Sequence, residues 1–263
     1  MADILETILA AKRLEVERAR AAVPVTELEA QIEAAGRKTL SLRGALEASG
    51  SGVIAEFKRK SPSKGWIHPD ARVEDIAPAY AAAGASGLSV LTDREFFGGS
   101  ADDLRAARAL VDIPILRKEF VVDEYQLVEA RAMGADAVLL IAAALKPTEA
   151  KRWAAKAHEL GLEVLLEIHN ELELDTFGPD VDIIGVNNRD LKVFRTDPEA
   201  SVRLFEKLPS EALPITESGL TDPAVAAGLR KTGYRGFLVG EALMSKEDPG
   251  MALRTYIWRM IYA

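Results

Sequence analysis

The feature that most constrains the fold of this chain is a repeat that begins after Gly52. A short apolar segment, a loop and a helical segment follow one another eight times. The first apolar segment begins at residue 53 and the last at residue 236, so the seven intervals average about 26 residues. Continuous apolar runs of four or five residues indicate strands that are covered on both faces, as in a parallel sheet.

We therefore predict eight strands, each followed by a helix. The strands are expected at residues 53–57, 87–91, 113–117, 137–141, 163–167, 183–187, 214–217 and 236–240. The helices are expected at residues 73–83, 101–111, 124–133, 148–160, 172–176, 200–207, 223–231 and 249–262. Eight such units predict an α/β protein of the (β/α)₈ TIM-barrel class. A doubly wound open sheet is the alternative, but the G-x-G-x-x-G fingerprint of many such folds does not follow the first strand.

The chain has 263 residues, which fits one barrel of about 250 residues with an addition. We expect a single domain over residues 1–263, with an N-terminal helical extension at 1–50 and the barrel at 51–263. Apolar residues at helical spacing predict helices at residues 3–20 and 26–34 of the extension. Neither a second domain nor an internal linker is predicted.

Composition excludes several classes of function. The chain has no cysteine, which rules out disulfides, a thiol nucleophile and cysteine-based metal sites. The formal net charge of −8 disfavours a nucleic-acid partner. Because no signal peptide or membrane-spanning run is evident, we expect a cytoplasmic protein without a membrane partner. A monomer is expected, with a dimer left open.

Polar side chains follow the predicted strands at their C-terminal ends, where TIM barrels carry their active sites. Strand residues of equal parity share a face, so Glu56 and Lys58 lie on the face of Ile54. By the same alternation Lys118, Glu167 and Asn187 end three further strands on the face of apolar residues. Charged groups at the end of an apolar strand are rarely without a function, because a buried charge needs a partner. The pattern predicts acid–base chemistry at one mouth of the barrel.

The loops after the seventh and eighth strands predict a phosphate site. Barrels often bind phosphate there, with help from a helix N-terminus. The segment ESGL at residues 217–220 offers the Ser218 hydroxyl and Gly219, and VGEAL at residues 239–243 offers Gly240. Glycines at these positions let backbone N–H groups approach an anion.

His169 opens the segment EIHNELELD, which resembles a metal cluster only superficially. We expect Asn170 to cap a helix, and Glu171, Glu173 and Asp175 to form its solvated face. We therefore expect neither a metal nor a cofactor in this protein.

The ordered set of these motifs resembles the family of indole-3-glycerol phosphate synthases, the (β/α)₈ enzymes of tryptophan biosynthesis. The motifs IAEFKRKSPSKG, LTDREFFGGS, LRKEF, GADAVLLI, IGVNNRDL, ESGL and VGEALM occur in the family's order from about residue 54 to residue 244. The resemblance implies a carboxy-lyase that closes the indole ring of 1-(2-carboxyphenylamino)-1-deoxyribulose 5-phosphate. Carbon dioxide and water leave, and indole-3-glycerol phosphate is formed.

The resemblance also implies roles for individual residues. Lys118 is expected to be the general acid at the carbonyl oxygen, and Glu167 to handle protons in the dehydration and stabilise positive charge on the nitrogen. Lys58 is expected to hold the anthranilate carboxylate and to share the acid duty. Glu56 and Asn187 are expected to bind hydroxyls and orient the catalytic pair. The implied catalytic set is Glu56, Lys58, Lys118, Glu167, Asn187 and Ser218. The implied substrate-binding set is Ser61, Phe97, Phe120, Leu139, Arg189, Glu217, Gly219, Gly240 and Glu241.

Three alternatives remain open from the residues. Lys118 could form a Schiff base, as in a class I aldolase. A phosphoribosylanthranilate isomerase shares the fold and the phosphate site, but its expected base is a cysteine, which this chain lacks. A non-catalytic barrel that binds a phosphorylated metabolite would leave the charged residues at the barrel mouth without a purpose.

Overall fold

A closed barrel forms the centre of the protein. The computed structural model describes residues 4–190 and 195–262, and over these ranges eight parallel strands close on one another. The strands are β1 (Val53–Phe57), β4 (Gly87–Leu91), β5 (Ile115–Lys118), β6 (Ala137–Ile141), β7 (Glu163–Ile168), β8 (Ile183–Asn187), β9 (Leu213–Glu217) and β10 (Gly236–Val239). Each pairs with the next, and β10 pairs with β1. The predicted (β/α)₈ fold is confirmed.

The helices alternate with the strands as the periodicity predicted. They are α4 (Val73–Ala82), α5 (Ala101–Leu110), α6 (Tyr125–Met133), α7 (Pro147–Glu159), α8 (Glu199–Phe205), α9 (Pro223–Thr232) and α11 (Pro249–Ile261). The predicted helix at 172–176 is instead a 3₁₀-helix, Glu171–Thr176. The 3₁₀-helix is a tighter form that occurs in short pieces, and this one has six residues. The predicted third strand begins two residues later than expected, at Ile115.

Four short elements that follow strands of the barrel were not predicted. A hairpin of β2 (Lys60–Ser61) and β3 (Gly65–Trp66) lies in the loop after β1. A 3₁₀-helix (Ala142–Ala144) follows β6, and α10 (Glu241–Met244) follows β10. Segments of two to four residues are too short to show a periodicity of their own.

The barrel interior is apolar below the site. Ile54, Leu116, Leu165 and Ile215 belong to one buried cluster inside the barrel. Because strand residues alternate, the neighbours of these residues face outward and pack under the helices in a second, larger cluster. The predicted parity of the strands is therefore confirmed, and the residues that share a face with Ile54, Leu116 and Leu165 reach the barrel mouth.

The N-terminal extension consists of α1 (Ile4–Ala22), α2 (Val25–Ala35) and α3 (Leu42–Ala48). The first two helices were predicted, and α3 was not. Leu42 and Leu46 of α3 enter the apolar cluster inside the barrel at the starts of the strands. Gly87 begins β4, and a Cβ there would lie 2.6 Å from Leu42 Cδ1, so glycine leaves room for α3. The extension thus closes the N-terminal end of the barrel.

The other end of the extension lies at the opposite mouth. Ile4, Leu5 and Ile8 of α1 line the cavity at the C-terminal ends of the strands. Between these two ends, α2 packs along α6. None of the helices in the described part of the chain has both the length and the apolar character that a membrane crossing requires.

Candidate active site

A cavity of about 550 Å³ lies at the C-terminal mouth of the barrel. This volume falls in the range of small-molecule sites, which is about 300–1,000 Å³. Fourteen of the fifteen residues proposed for the site line the cavity, namely Glu56, Lys58, Phe97, Lys118, Phe120, Leu139, Glu167, Asn187, Arg189, Glu217, Ser218, Gly219, Gly240 and Glu241. The strand ends therefore bring together residues that are far apart in the sequence.

Ser61 is the proposed residue that does not line the cavity in the described part of the chain. It pairs with Gly65 in the hairpin that follows β1, and it is 1% exposed. The tip of this hairpin, Pro62, Ser63 and Lys64, lines the cavity instead. The hairpin was not predicted, so the orientation of Ser61 could not be inferred.

Lys118 lies at the centre of the site. Its Nζ lies 2.6 Å from Oε2 of Glu167 and 2.9 Å from Oε2 of Glu217. A second ion pair joins Lys58 Nζ to Glu56 Oε1 at 2.5 Å. The three carboxylates are buried, so each ammonium compensates charges that water does not reach.

The charges of this cluster shift one another's pKa values. Burial alone would lower the pKa of Lys118, but the nearby carboxylates of Glu167, Glu217 and Glu56 outweigh it and raise that pKa above its usual range. Burial would raise the pKa of Glu167, but Lys118 and His169 lower it. The pKa of Glu217 is raised, because burial and the charge of Glu167 outweigh Lys118. The two carboxylates that share the Lys118 ammonium thus have pKa values shifted in opposite directions, which is typical of acid–base sites.

Two glycines make room for the buried carboxylates. A Cβ on Gly185 of β8 would lie 2.7 Å from Oε1 of Glu217. A Cβ on Gly240 would overlap Oε1 of Glu56. The sequence predicts Gly240 at a phosphate site; in the structure, the missing side chain of Gly240 leaves room for the Glu56 carboxylate.

The loops after β9 and β10 form one side of the cavity. Among the described residues, Ser218 is the non-glycine residue with positive φ, at 66°, and Gly219 follows with φ of 73°. Such strain is uncommon and persists at functional sites because the surroundings enforce it. The helix α10 begins at Glu241, on the same side. The Arg189 guanidinium lies 3.6 Å from the Glu241 carboxylate, so a cation also stands at this side.

The opposite part of the cavity is apolar. Phe97 and Phe120 pack with ring centroids 5.9 Å apart, and Leu139 lines the cavity with them. The apolar residues of α1 complete this wall, which the sequence reasoning missed. Its signal was the amphipathic pattern of residues 3–20, but a pattern does not say which surface a helix covers.

Lys12 joins α1 to the barrel mouth by ion pairs, and the sequence did not predict this role. Its Nζ lies 2.9 Å from Asp93, 3.1 Å from Glu119 and 2.9 Å from Glu15, and Lys12 is 1% exposed. Asp93 and Glu119 follow β4 and β5, respectively. A buried ammonium between two buried carboxylates therefore links the extension to the strand ends.

The segment after β7 corrects one expectation. Asn170 caps the 3₁₀-helix, as predicted, by accepting a hydrogen bond from the backbone N–H of Leu172. Glu173 was expected on a solvated face, but its side chain is 16% exposed and contacts His169. The Nε2 atom of His169 lies 3.6 Å from Oε1 of Glu167. His169 is thus a neighbour of the catalytic candidates.

These observations define a class of protein: a (β/α)₈ barrel with a cavity of paired acids and lysines at its C-terminal mouth, as expected of an enzyme. The family model for indole-3-glycerol phosphate synthase matches residues 5–256. The chain belongs to this family.

Relatives of the chain carry the same name. An indole-3-glycerol phosphate synthase of Bacteroides thetaiotaomicron is 53% identical over 257 residues, which cover 98% of each protein. An indole-3-glycerol phosphate synthase of Azoarcus sp. is 48% identical over 260 residues, covering 97% of this chain and 98% of the relative.

Solved structures of lower identity share the fold. A 3-hexulose-6-phosphate synthase from Salmonella typhimurium is similar with a TM-score of 0.64 at 12% identity, covering 80% of this chain and 99% of the other. A tryptophan synthase α-subunit from Pyrococcus furiosus has a TM-score of 0.60 at 15% identity, covering 81% and 98%. At these identities the likeness supports the barrel alone.

Proposed function

We propose that this protein catalyses the ring closure of 1-(2-carboxyphenylamino)-1-deoxyribulose 5-phosphate to indole-3-glycerol phosphate, carbon dioxide and water. Lys118, held between Glu167 and Glu217, is the observation that carries the proposal. The reaction needs an acid at a carbonyl and a base for the later dehydration. One buried cluster offers both, between an apolar wall and a pair of loops suited to phosphate.

The substrate is a phosphorylated small molecule with three distinct parts, and the cavity has a place for each. The aromatic ring fits the wall of Phe97, Phe120 and Leu139. Its carboxylate pairs with the ammonium of Lys58, which stands at the end of β1. The phosphate lies at residues 218–219 and 240–241, which line the cavity after β9 and β10 and include the start of a short helix, where backbone N–H groups suit an anion.

Lys118 acts as the general acid in the first step. Its raised pKa keeps it protonated at neutral pH, which is the form that an acid needs. As the ring carbon attacks the carbonyl carbon, the carbonyl π pair moves to oxygen and takes a proton from Nζ. The carboxylate then leaves as carbon dioxide, and its bond electrons restore the aromatic ring. Positioning and preorganised charge supply this catalysis.

Glu167 acts in the dehydration. The hydroxyl leaves as water with a proton from Lys58, because Lys118 has already given up its own. The nitrogen lone pair supplies the electrons that replace the broken C–O bond, which leaves positive charge on nitrogen. Glu167 stabilises that charge and accepts the carbon-bound proton that is lost as the indole forms. Its lowered pKa keeps it ionised for this purpose. Glu56 and Asn187, at the ends of β1 and β8, bind substrate hydroxyls and orient the pair.

We further propose that the protein acts in the cytoplasm as a monomer and needs no metal or organic cofactor. Each step above moves protons and electron pairs between substrate and side chains, and none transfers an electron to a carrier. The acidic net charge of −8 agrees with a partner that is a small molecule rather than a nucleic acid.

The test is turnover of the carboxyphenylamino-deoxyribulose phosphate, followed by the absorbance of the indole product. Absence of product with the folded wild-type protein would contradict the proposal. The Schiff-base alternative predicts that borohydride traps a covalent adduct of Lys118 with a sugar phosphate. The raised pKa of Lys118 argues against it, because a protonated amine is not a nucleophile.

A further inference from the structure

His169 follows β7 directly and stands beside Glu167, the proposed base. Its Nε2 lies 3.6 Å from Oε1 of Glu167, whereas Lys118 Nζ lies 2.6 Å from Oε2. The two oxygens of one buried carboxylate therefore face two different nitrogens. The function of His169 is not explained by any of the roles assigned above.

Glu173 fixes the histidine ring. Its Oε2 accepts the backbone N–H of His169 at 2.7 Å and lies 3.3 Å from Nδ1 of the ring. Its Oε1 accepts a hydrogen bond from Asn170 Nδ2 at 2.6 Å, so the carboxylate is held on both sides. With Nδ1 donating to Glu173, Nε2 is the ring nitrogen that faces Glu167.

The surroundings of the ring favour its charged form. Nε2 is buried and has no hydrogen-bond partner among the described residues. A neutral ring that donates through Nδ1 would direct the Nε2 lone pair at a carboxylate, whereas an imidazolium directs an N–H at it. Burial lowers the pKa of His169, but the hydrogen bond to Glu173 and the charges of Glu167, Glu173 and Glu217 raise it overall.

The charges that face His169 come from several elements. The carboxylates belong to Glu167 on β7, Glu173 on the 3₁₀-helix and Glu217 on β9, with Lys118 beyond Glu167. A second cavity borders the ring, and its other charged lining residues are Glu6, Arg13, Asp190, Arg195, Asp197 and Arg203. The groups that contact the ring itself are thus carboxylates.

We propose that His169 is a positioning residue that acts through Glu167, holding this carboxylate ionised and oriented after Lys118 has given up its proton. The inference rests on the proposed function. When Lys118 Nζ transfers a proton to the carbonyl oxygen, it becomes a neutral amine and the oxygen becomes a hydroxyl. The positive charge of Lys118 next to Oε2 of Glu167 is then gone, but the positive charge of the His169 imidazolium next to Oε1 remains. The base is then still ionised when the dehydration needs it.

The test compares two substitutions of His169 in the whole protein. His169→Asn keeps an N–H near Nδ1 but removes the group that faces Glu167. His169→Gln places a neutral amide near Nε2. We expect each to lower kcat about tenfold and to move the acid limb of the kcat profile to higher pH by about one unit, with KM changed less than about twofold. Glu173→Gln, which removes the charge that holds the ring, is expected to act in the same direction.

A matched control is His158→Gln. His158 is 36% exposed and pairs with Asp180 and Asp182, away from the cavity residues. It is expected to leave kcat and the pH profile unchanged. A purely structural role for His169 would lower thermal stability without moving the acid limb. An unmoved acid limb in folded His169→Asn would therefore overturn the proposal.

A second measurement does not depend on activity. The three imidazoles of the wild-type protein can be titrated by proton–carbon NMR and assigned with His68→Gln, His158→Gln and His169→Gln. We expect His169 to titrate above the usual value of about 6.5, and Glu173→Gln to lower its midpoint. A ring that titrates at or below the usual value would refute the inference. Failure of the wild type to turn over substrate would refute the proposed function instead, and the titration would still decide the charge of His169.

Discussion

Replacing Lys12 by methionine tests how firmly the extension is fastened to the barrel. The ammonium lies within 3.1 Å of both Asp93 and Glu119, and all three side chains are at most 2% exposed. Methionine keeps most of the volume but removes the cation that pairs with Asp93, and it leaves Glu119 with a longer contact to Arg117, at 4.0 Å. Removing one partner of a buried ion pair costs about 3–5 kcal/mol, so we expect the free energy of unfolding to fall by at least about 3 kcal/mol.

A surface pair of the same spacing provides the control. Lys156 pairs with Glu159 at 3.0 Å, as Lys12 does with Glu15 at 2.9 Å, but the side chains of the surface pair are 32% and 67% exposed. Exposed pairs contribute about 0–1 kcal/mol, so Lys156→Met is expected to change stability little. Urea unfolding followed by tryptophan fluorescence at pH 7 measures both variants. Equal losses for the two would refute the argument from burial.

The pH dependence has a definite sign. The charges of Glu119 and Asp93 outweigh burial and raise the pKa of Lys12 in the folded protein. The stabilisation is therefore fully present below the unfolded pKa of about 10.4 and is lost as pH rises through the folded pKa. The difference in the free energy of unfolding between wild type and Lys12→Met should therefore stay constant from pH 7 to pH 9, as far as the charge of the lysine determines it.

Because α1 also lines the cavity, we expect the KM of Lys12→Met to rise while its kcat is unchanged.

Other predictions concern the site and the opposite end of the barrel. Lys118→Ala should lower turnover by at least about 10²-fold, the scale of a lost general acid, and near-normal turnover would contradict its role. Glu167→Gln should lower kcat with little change in KM, so a rise in KM alone would count against it as the base. Asp136 is fully buried between Arg37 and Arg108, at 2.7 and 2.8 Å. Asp136→Asn should lower the free energy of unfolding by about 3 kcal/mol in urea titrations, and a loss below about 1 kcal/mol would contradict this.

The barrel and most of the site followed from local patterns. Strand alternation is a property of the backbone, so the shared face of Glu56 and Ile54 could be read without coordinates. The fold rule then placed the strand ends at one mouth, which brought Lys118, Glu167 and Asn187 together. These inferences need only the order of elements and their period.

What could not be predicted depends on contacts between distant segments. The amphipathic pattern of residues 3–20 indicated that one face of α1 packs against the rest of the protein. The buried partners of Lys12 could not be predicted, because Asp93 and Glu119 are about 80 and 107 residues away in the chain. Glu173 was misjudged because its exposure depends on a 3₁₀ turn that folds it back on His169. Charged residues in a loop do not show by type alone whether they are solvated.

The pairing of β10 with β1 also bears on how the protein is made. The backbone of Phe237 donates to the carbonyl of Gly52, so the sheet is sealed between segments at opposite ends of the barrel sequence. During synthesis from the N-terminus, β1 therefore remains an open edge until the last strand has left the ribosome. A nascent chain that stalls before residue 236 lacks the strand that closes the barrel, so it exposes an unpaired strand edge and apolar surface, the features that make incomplete domains prone to aggregation.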